Sequence, residues 1–556
     1  MSSEVELELP DPPFPVWGEE GIAACDHPEA ARAGCQVLQE GGNAVDAAVT
    51  ISLTLGVLCP YYTGIAGGGF MMIWLPGFDR PRVLDYREVA PGAAYPEMFE
   101  GRPRASTRGA LAVGVPGSVA GLAEVLQTYG TISWERALAP GIELAEQGFP
   151  VYPNFRRVTM ARRKMLGLYP EACRIFLGEH GEGFKPGQRL RQPELAETYR
   201  RLAAHGPREL YEGLTAERIV SELQADGGIL TLEDLAGYRA VWREPLSAVY
   251  RGKEVFAVGP PSGGGVQLLQ CLQMLEPFSF TPARVGTAQT YHLQAEAMRL
   301  SFADRSSWVA DPAFFDVPVH PMLDPARLAE LHLLIDPKKA MELVEVPPLE
   351  GYVPSAMGQS RPGTGGTSSF AVAHKGGGFV VATESINLWF GSMMIPRGTG
   401  VLLNDILDDF SRTPGTPDAF GLVSSRINQV EPRKRPASSS CPMIMAEQGK
   451  PIMAAGSAGG PRIATSVLQV VMNVVDHRLN IRQAMDAPRV HHQWLPDELV
   501  VEKFIPEDIR KNLRSMGHRV VEGPNRSHGC SVGWSGDDEL FYGAGDFRSG
   551  GDAAGV

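Results

Sequence analysis

The chain has 556 residues, 44% of them hydrophobic and 21% charged, which is typical of a soluble globular protein larger than one ordinary core. The formal net charge of −13 at pH 7 argues against a general nucleic-acid binder, because such a protein needs a basic face. Seven scattered cysteines without a CxxC pair indicate neither a disulfide framework nor a zinc site. We find no signal peptide and no apolar run that could span a bilayer, so we expect a cytoplasmic protein.

Helical and strand patterns alternate irregularly along the chain. After a proline-rich, acidic arm over residues 1–20, a first helix is predicted to begin at Pro28, and Asn43 is expected to cap the second, with Asp46 in its first turn. The first helix is predicted to end at the Gly-Gly pair 41–42. Further helices are predicted over residues 44–58, 117–128, 134–147, 190–204, 286–303 and 461–477. The predicted strands cover residues 70–75, 83–84, 367–372 and 379–382. Without strict βαβ alternation, this order favours α+β layers over a doubly wound sheet.

The bond between Gly366 and Thr367 carries the most specific chemistry. A linker-like stretch at 350–366, rich in Gly, Pro, Ser and Thr, runs directly into the strand that begins at Thr367. Glycine gives the backbone unusual freedom, so a hydroxyl directly after it could attack its own preceding carbonyl. The freed Thr367 would then hold a nucleophile and a base, its hydroxyl and its α-amine, in one residue. Taken alone, these residues favour a simpler alternative, a loop followed by an ordinary strand residue.

Two clusters near this bond carry side chains suited to binding a substrate. Arg87 can bind a carboxylate in bidentate fashion, although a surface arginine paired with a neighbouring acid is the more common situation. Ser385 and Asn387 end the strand that follows the Thr367 strand, where they are natural positioning groups. A plain turn would use the same residue types.

Two further clusters lie in the last third of the chain. The adjacent carboxylates Asp408 and Asp409 could bind an ammonium or a metal, but a metal site needs more hard ligands, and an acidic loop is the alternative. A serine-rich run at 434–442 precedes the pair Gly459 and Gly460, which opens a predicted helix. Backbone amides at a helix N-terminus suit an oxyanion hole, and a tightly packed helix start is equally expected.

Together these blocks resemble the γ-glutamyltransferase (γ-glutamyl transpeptidase) family of N-terminal-nucleophile hydrolases, which are made as one precursor and cleave themselves into two subunits. The resemblance covers nearly the whole chain after about residue 20. The matching motifs are EGGNAVDAA at 40–48, GIAGGGF at 64–70, DYREVAP at 85–91, GVPGSVAG at 114–121, GTSSFAV at 366–372, ESIN at 384–387, LDDFS at 407–411, KRPASSSCP at 434–442, GSAGGPRI at 456–463 and APRVHHQWLPDELVVE at 487–502. So many ordered blocks are far more specific than any single motif.

The resemblance implies an α+β fold, a four-layer αββα sandwich with strands from both subunits. It implies cleavage into a large subunit of residues 1–366 and a small subunit of 367–556, which form one interleaved domain. The site roles that it implies are Thr367 as nucleophile, Ser385 as contact of the new α-amine, Arg87, Ser438 and Ser439 as anchors of the substrate α-carboxylate, Asn387 and Asp409 as partners of its α-ammonium, and Gly459 and Gly460 as oxyanion amides. These residue types suit a γ-glutamyl group, because its head carries both charges.

The chain departs from the family pattern at one position that bears on specificity. Three residues before Asp409 the family usually has Glu or Gln, another ligand of the substrate ammonium, and this chain has Ile406. An aliphatic side chain cannot accept that hydrogen bond and would desolvate the charge. The missing signal peptide is a second departure. Residues 412–430 match the family's active-site lid, with Phe420 as a candidate gate, or form a plain Pro/Gly surface loop.

The sequence therefore predicts a self-processing γ-glutamyl hydrolase or transpeptidase. We expect it to act on glutathione or related γ-glutamyl compounds, to use water, amino acids or peptides as acceptors, and to need no cofactor, metal, nucleic acid or membrane. One alternative is an N-acyl amidohydrolase of the same fold, of the glutaryl or cephalosporin acylase kind. Another is an unprocessed, inactive binding protein, because fold alone does not prove activity.

Overall fold

Two stacked antiparallel sheets organise the computed structural model, which describes residues 14–102, 104–178, 180–342, 365–376, 378–412, 417–422, 424–523 and 527–556. The strands, in chain order, are β1 (Val16–Gly18), β2 (Gly21–Cys25), β3 (Gly68–Trp74), β4 (Arg82–Asp85), β5 (Phe149–Pro150), β6 (Arg189–Leu190), β7 (Val241–Arg243), β8 (Leu246–Tyr250), β9 (Lys253–Ala257), β10 (Gly365–His374), β11 (Gly378–Leu388), β12 (Met443–Glu447), β13 (Lys450–Ala458), β14 (Val490–His491), β15 (Leu499–Val501), β16 (Val520–Glu522), β17 (His528–Ser535), β18 (Leu540–Gly545) and β19 (Asp552–Gly555).

Helices cover the outer faces of these sheets. In chain order they are α1 (Pro28–Gln39), α2 (Ala44–Leu58), α3 (Ser118–Tyr129), α4 (Trp134–Gln147), α5 (Pro153–Leu166), α6 (Pro170–Ala172), α7 (Pro193–His205), α8 (Glu209–Glu212), α9 (Leu214–Ala225), α10 (Leu232–Gly237), α11 (Gly264–Leu275), α12 (Ala288–Trp308), α13 (Val319–Met322), α14 (Pro325–Leu333), α15 (Arg462–Val475), α16 (Ile481–Asp486) and α17 (Glu507–Ser515). Among the described residues, no helix is long and apolar enough to cross a membrane. The cytoplasmic location stays a prediction.

Both large sheets combine strands from before and after the Gly366–Thr367 bond. The first has the order β1-β18-β17-β13-β12-β9-β8, and the second has the order β19-β2-β10-β11-β3-β4-β7. Neighbouring strands in both are antiparallel. Because β10 and β11 lie between strands of the earlier segment, a break at that bond would leave one interleaved fold.

Three hydrophobic cores separate four layers. On β10, Phe370 and Val372 pack in a core with α1 to α4, while Ala371 and Ala373 pack in the core between the two sheets, as the period of a strand requires. A third core joins the first sheet to α11, α12 and α15. The order of layers is therefore helices, sheet, sheet, helices. This confirms the predicted α+β sandwich.

Helix α2 forms as its sequence predicts. The Asn43 side chain accepts hydrogen bonds from the backbone nitrogens of Val45 (2.8 Å) and Asp46 (3.1 Å), and the Asp46 carboxylate accepts one from the Asn43 nitrogen (2.8 Å). This reciprocal capping box satisfies amides that have no partner within the helix. All fifteen residues of α2 are buried, so the helix lies fully inside the sandwich.

The structure corrects three boundaries. The predicted arm over 1–20 ends in β1, which pairs with β18, because Val16–Gly18 can extend the edge of the first sheet; residues 1–13 lie outside the described residues. The predicted linker over 350–366 ends in Gly365 and Gly366, which already belong to β10, while the rest of it lies outside the described residues. Helix α12 continues to Trp308, beyond the predicted end at 303, because neither Gly nor Pro interrupts it there.

Candidate active site

A bulge in the hairpin of β10 and β11 places Thr367 opposite Ser385. Gly366 pairs with Asn387 and Thr367 pairs with Ser385, so Ile386 is the extra residue on β11. Asn387 has a φ of 77°, in the left-handed region that residues other than glycine seldom adopt. A bulge bends its strand and re-aims neighbouring side chains. Here it brings two hydroxyl groups face to face.

Hydrogen bonds connect these hydroxyls to the carbonyl of Gly366. The Ser385 hydroxyl donates to the Gly366 oxygen at 2.7 Å and accepts from the Asn387 backbone nitrogen at 2.8 Å. The Thr367 hydroxyl lies 3.0 Å from the Ser385 hydroxyl. Because Ser385 has one proton and gives it to Gly366, Thr367 is the donor in this contact. The arrangement polarises the carbonyl that directly precedes Thr367.

Only glycine fits on the other side of this bond. A β-carbon at Gly366 would lie 2.3 Å from the carbonyl oxygen of Leu388 and 2.9 Å from that of Tyr61. A β-carbon at Gly365 would lie 3.2 Å from both the Gly460 nitrogen and the Phe420 ring. The glycines before Thr367 therefore allow the backbone to approach both β11 and the Gly459-Gly460 loop.

The candidate carboxylate anchors come together on one wall of a cavity. Arg87, only 2% exposed, donates from Nε to the Pro436 oxygen at 3.2 Å and from Nη2 to the Ala437 oxygen at 3.0 Å. These bonds fix it beside Ser438 and Ser439, which follow directly in the chain and are also buried. The sequence did not reveal that the serine-rich run itself holds the arginine.

Asp409 and Asn387, the candidate ammonium partners, line the same cavity. Asp409 forms an ion pair with Arg87. Burial raises the pKa of the Asp409 carboxyl, and the charge of Arg87 opposes this rise. Asn387 donates from Nδ2 to the backbone oxygen of Asp405 at 3.0 Å. Its side-chain oxygen can therefore accept a hydrogen bond from a ligand.

Ile406 faces away from the cavity. Its side chain is fully buried in an apolar cluster with Ala90, Phe99, Phe410 and Val430. It is not among the residues that line the cavity. The position at which the family pattern has an ammonium ligand is therefore used here for packing.

Gly459 and Gly460 form the turn between β13 and α15, and both have positive φ angles, 120° and 61°. Gly460 lines the cavity, and a β-carbon there would lie 2.5 Å from the ring of Phe420. Phe420, the predicted gate residue, thus covers this glycine. The cavity has a volume of about 30 Å³, room for roughly one water molecule. A ligand that pairs with both Arg87 and Asp409 would have to displace their ion pair.

All predicted site residues except Gly459 line this cavity, and the structure adds two charged groups that the sequence did not reveal. Arg305 projects from the last turns of α12, and its Nη2 donates to the Ser439 hydroxyl at 3.2 Å. Asp418 accepts hydrogen bonds from the backbone nitrogens of Phe420 (2.8 Å) and Leu422 (2.9 Å). The polar residues of α12 are distributed around all faces of the helix, and this pattern is the sequence signal that points to buried polar groups such as Arg305.

The fold and the site define the chain as an enzyme of the N-terminal-nucleophile hydrolase class. A sequence model described as gamma-glutamyltranspeptidase matches residues 30–556. The chain therefore belongs to the γ-glutamyltranspeptidase family, whose proenzymes cleave into two subunits and act on small molecules.

Relatives with two kinds of activity resemble it over most of its length. The glutathione hydrolase proenzyme of Escherichia coli K12 is 38% identical over 542 residues, which cover 96% of this chain and 91% of that protein. The acylase ACY 1 proenzyme of Pseudomonas sp. strain SE83 is 34% identical over 549 residues, 97% of this chain and 94% of that protein. The crystal structure of cephalosporin acylase from Bacillus halodurans superimposes with a TM-score of 0.86 at 28% identity, covering 100% of this chain and 99% of that one.

Proposed function

We propose that the chain cuts itself between Gly366 and Thr367 and then hydrolyses or transfers the γ-glutamyl group of glutathione or related compounds. The observation that carries this proposal is the contact of the Thr367 hydroxyl with Ser385, whose own hydroxyl donates to the Gly366 carbonyl. This contact lies in the wall of a cavity that holds groups of both charges.

In self-cleavage, the Thr367 oxygen attacks the Gly366 carbonyl carbon as its proton leaves towards the Ser385 hydroxyl. The carbon–nitrogen bond breaks, its nitrogen takes up a proton, and an ester joins Gly366 to the Thr367 oxygen. Water then cleaves this ester. The products are a carboxylate at Gly366 and a free α-amine at Thr367, so the residue gains its own base.

In catalysis, the α-amine of Thr367 accepts the hydroxyl proton while the oxygen attacks the γ-carbonyl of the donor. The backbone amides of Gly459 and Gly460 stabilise the oxyanion, and the protonated amine returns the proton to the leaving amine. A γ-glutamyl ester of Thr367 remains. Water releases it as glutamate, or an amino acid or peptide amine takes the γ-glutamyl group.

The charged residues of the cavity match the two charges of a γ-glutamyl head. Arg87, Ser438 and Ser439 bind its α-carboxylate, and Asp409 and Asn387 bind its α-ammonium. The donor replaces the Arg87–Asp409 ion pair by one partner for each, so neither buried charge stays unpaired. Charge-assisted hydrogen bonds of this kind contribute roughly 1.5–3 kcal/mol each. They also hold the γ-carbonyl next to Thr367.

A second candidate function is hydrolysis of acyl groups that lack the amine, such as glutaryl. The position of Ile406 favours it, because the side chain packs in an apolar cluster and contributes no ammonium ligand. Initial rates on γ-glutamyl and glutaryl p-nitroanilides separate the two functions. We expect a higher kcat/KM for the γ-glutamyl donor; a higher kcat/KM for the glutaryl donor would make the acylase the better description.

A further inference from the structure

Arg305 is a buried cation with a single side-chain hydrogen-bond partner among the described residues. Its side chain is only 4% exposed, yet among the described residues it makes a single hydrogen bond, from Nη2 to the Ser439 hydroxyl at 3.2 Å. Its Nε is buried and has no acceptor in the described ranges of the chain. It forms no ion pair within 4.0 Å in the described part of the chain. A charge taken out of water without partners costs free energy, so a ligand that supplies an anion would relieve that cost.

Arg87, by contrast, is largely committed to the protein. Its Nε and both protons of Nη2 are used by the Pro436 and Ala437 carbonyls and by Asp409. Only Nη1 is left to donate to a substrate while these bonds persist. A guanidinium binds a carboxylate best with two parallel hydrogen bonds, and Arg87 can offer them only after the donor has displaced Asp409. The carboxylate end of the cavity therefore has room for a second cationic ligand.

We propose that Arg305 is a second anchor for the carboxylate of the donor, in addition to Arg87. The placing of the donor rests on the proposed function, and the role of Arg305 follows from its own position in the cavity. Arg305 and Arg87 would both contact the carboxylate, together with the hydroxyls of Ser438 and Ser439, which line the same cavity. The sequence alone gave Arg305 no role.

The bond to Ser439 gives Arg305 a second effect on the same carboxylate. Arginine only donates hydrogen bonds, so the Ser439 oxygen is the acceptor, and the Ser439 hydroxyl donates to no other group in the part of the chain that the structure describes. The Ser439 hydroxyl can therefore donate a hydrogen bond to the substrate carboxylate. Removing the guanidinium would let the Ser439 hydroxyl rotate and would weaken two contacts at once. The charges that face Arg305 are those of Arg87, Asp409 and Asp418, so an added carboxylate meets two cations and two anions.

Three anilide donors test this role, because they differ only in the charged groups of the head. The γ-glutamyl donor has a carboxylate and an amine, the glutaryl donor has only the carboxylate, and the 4-aminobutanoyl donor has only the amine. For Arg305→Met, we expect KM to rise roughly 10- to 100-fold for the two carboxylate donors, with little change for the 4-aminobutanoyl donor. Arg305→Lys should lie between wild type and Arg305→Met. Arg299→Lys, on the same helix and equally buried but outside the cavity, is the control.

A double-mutant cycle with Ser439→Ala provides a second readout. If Arg305 and Ser439 act on one carboxylate, the combined variant should lose less than the product of the single losses. Equal rises of KM for all three donors, in either Arg305 variant, would overturn the proposal and indicate a structural role. If Arg305→Met fails to mature, Arg305→Lys carries the same comparison.

The failure of this inference can be told from the failure of the proposed function. A wild-type enzyme that prefers the glutaryl donor would contradict the γ-glutamyl assignment, and the dependence of that donor on Arg305 would still be measurable. A wild-type enzyme that prefers the γ-glutamyl donor but does not need Arg305 for it would contradict only the present inference.

Discussion

Arg87 and Asp409 contact each other across the cavity as a buried ion pair, with side chains that are 2% and 15% exposed. In the proposed complex each binds the opposite end of the donor head, so the donor must separate them. A donor with both charges can compensate both residues. A donor with only a carboxylate would leave Asp409 without its cation, which is costly in a buried site.

The first prediction concerns the charge of Asp409. Asp409→Asn keeps the shape of the side chain and removes the partner of the ammonium, so kcat/KM for the γ-glutamyl anilide should fall roughly 10- to 100-fold. The kcat/KM for the glutaryl anilide should fall less, because that donor has no ammonium for Asp409 to bind. Steady-state kinetics with both donors measure this. Equal losses for both would contradict the role of Asp409 in recognising the amine.

The second prediction concerns self-cleavage. The Ser385 hydroxyl donates to the Gly366 oxygen at 2.7 Å, so Ser385→Ala should slow the cleavage rate by about 10²–10³, as expected for loss of a donor to a developing oxyanion. A time course on denaturing gels measures it. Ser385→Thr keeps a hydroxyl and serves as the control. Cleavage of Ser385→Ala at the wild-type rate would show that Ser385 is dispensable for this step.

The third prediction concerns stability and pH. Burial raises the pKa of Glu384 to about 7, against hydrogen bonds donated by the hydroxyls of Ser52, Thr63 and Tyr86. An ordinary glutamate in the unfolded chain has a pKa near 4.5. Between these values the folded state binds more protons than the unfolded state, so the free energy of unfolding falls as pH rises from about 4.5 to about 7.

Glu384→Gln mimics the protonated form and should remove this dependence, which amounts to roughly 3 kcal/mol at most. The thermal unfolding midpoint of wild type should therefore fall further between pH 5 and pH 8 than the midpoint of Glu384→Gln. Thermal unfolding at the two pH values measures this. Glu254→Gln, an exposed position on β9, is the control. A wild-type midpoint that rises relative to Glu384→Gln over this range would contradict the assignment.

The fourth prediction concerns Ile406. Ile406→Gln restores the residue type of the family pattern, but it places an amide in a fully buried apolar cluster. We expect a loss of about 1–3 kcal/mol in the free energy of unfolding. KM for the γ-glutamyl anilide should not improve, because position 406 faces away from the cavity. Ile406→Leu is the matched control. A clearly lower KM in Ile406→Gln would show that the side chain can reach the ammonium.

Local signals predicted much of the fold. Asn43 and Asp46 marked the start of α2 correctly, because a capping box depends on residues three positions apart. The end of α12 was missed, since its polar residues lie on all faces and no breaker follows. Arg305 lies in that unpredicted part of the helix. The ion pair of Arg87 with Asp409 joins residues 322 positions apart, so no local pattern could reveal it.

The resemblance to the family predicted which residues form the site but not how their side chains are arranged. It identified the position of Ile406 as unusual but could not show that the side chain turns into an apolar cluster, because that direction depends on packing with Phe99 and Val430. The commitment of Arg87 to the carbonyls of Pro436 and Ala437 likewise depends on the folded chain.

The central claim is that Thr367 cuts the chain and becomes its nucleophile. A denaturing intact-mass spectrum of the purified wild-type protein and of Thr367→Ala tests it most directly. We predict two species from wild type, with the masses of residues 1–366 and 367–556, and one full-length, inactive species from Thr367→Ala. A wild-type protein that stays a single chain over days, or a Thr367→Ala variant that is still cut at this bond, would contradict it.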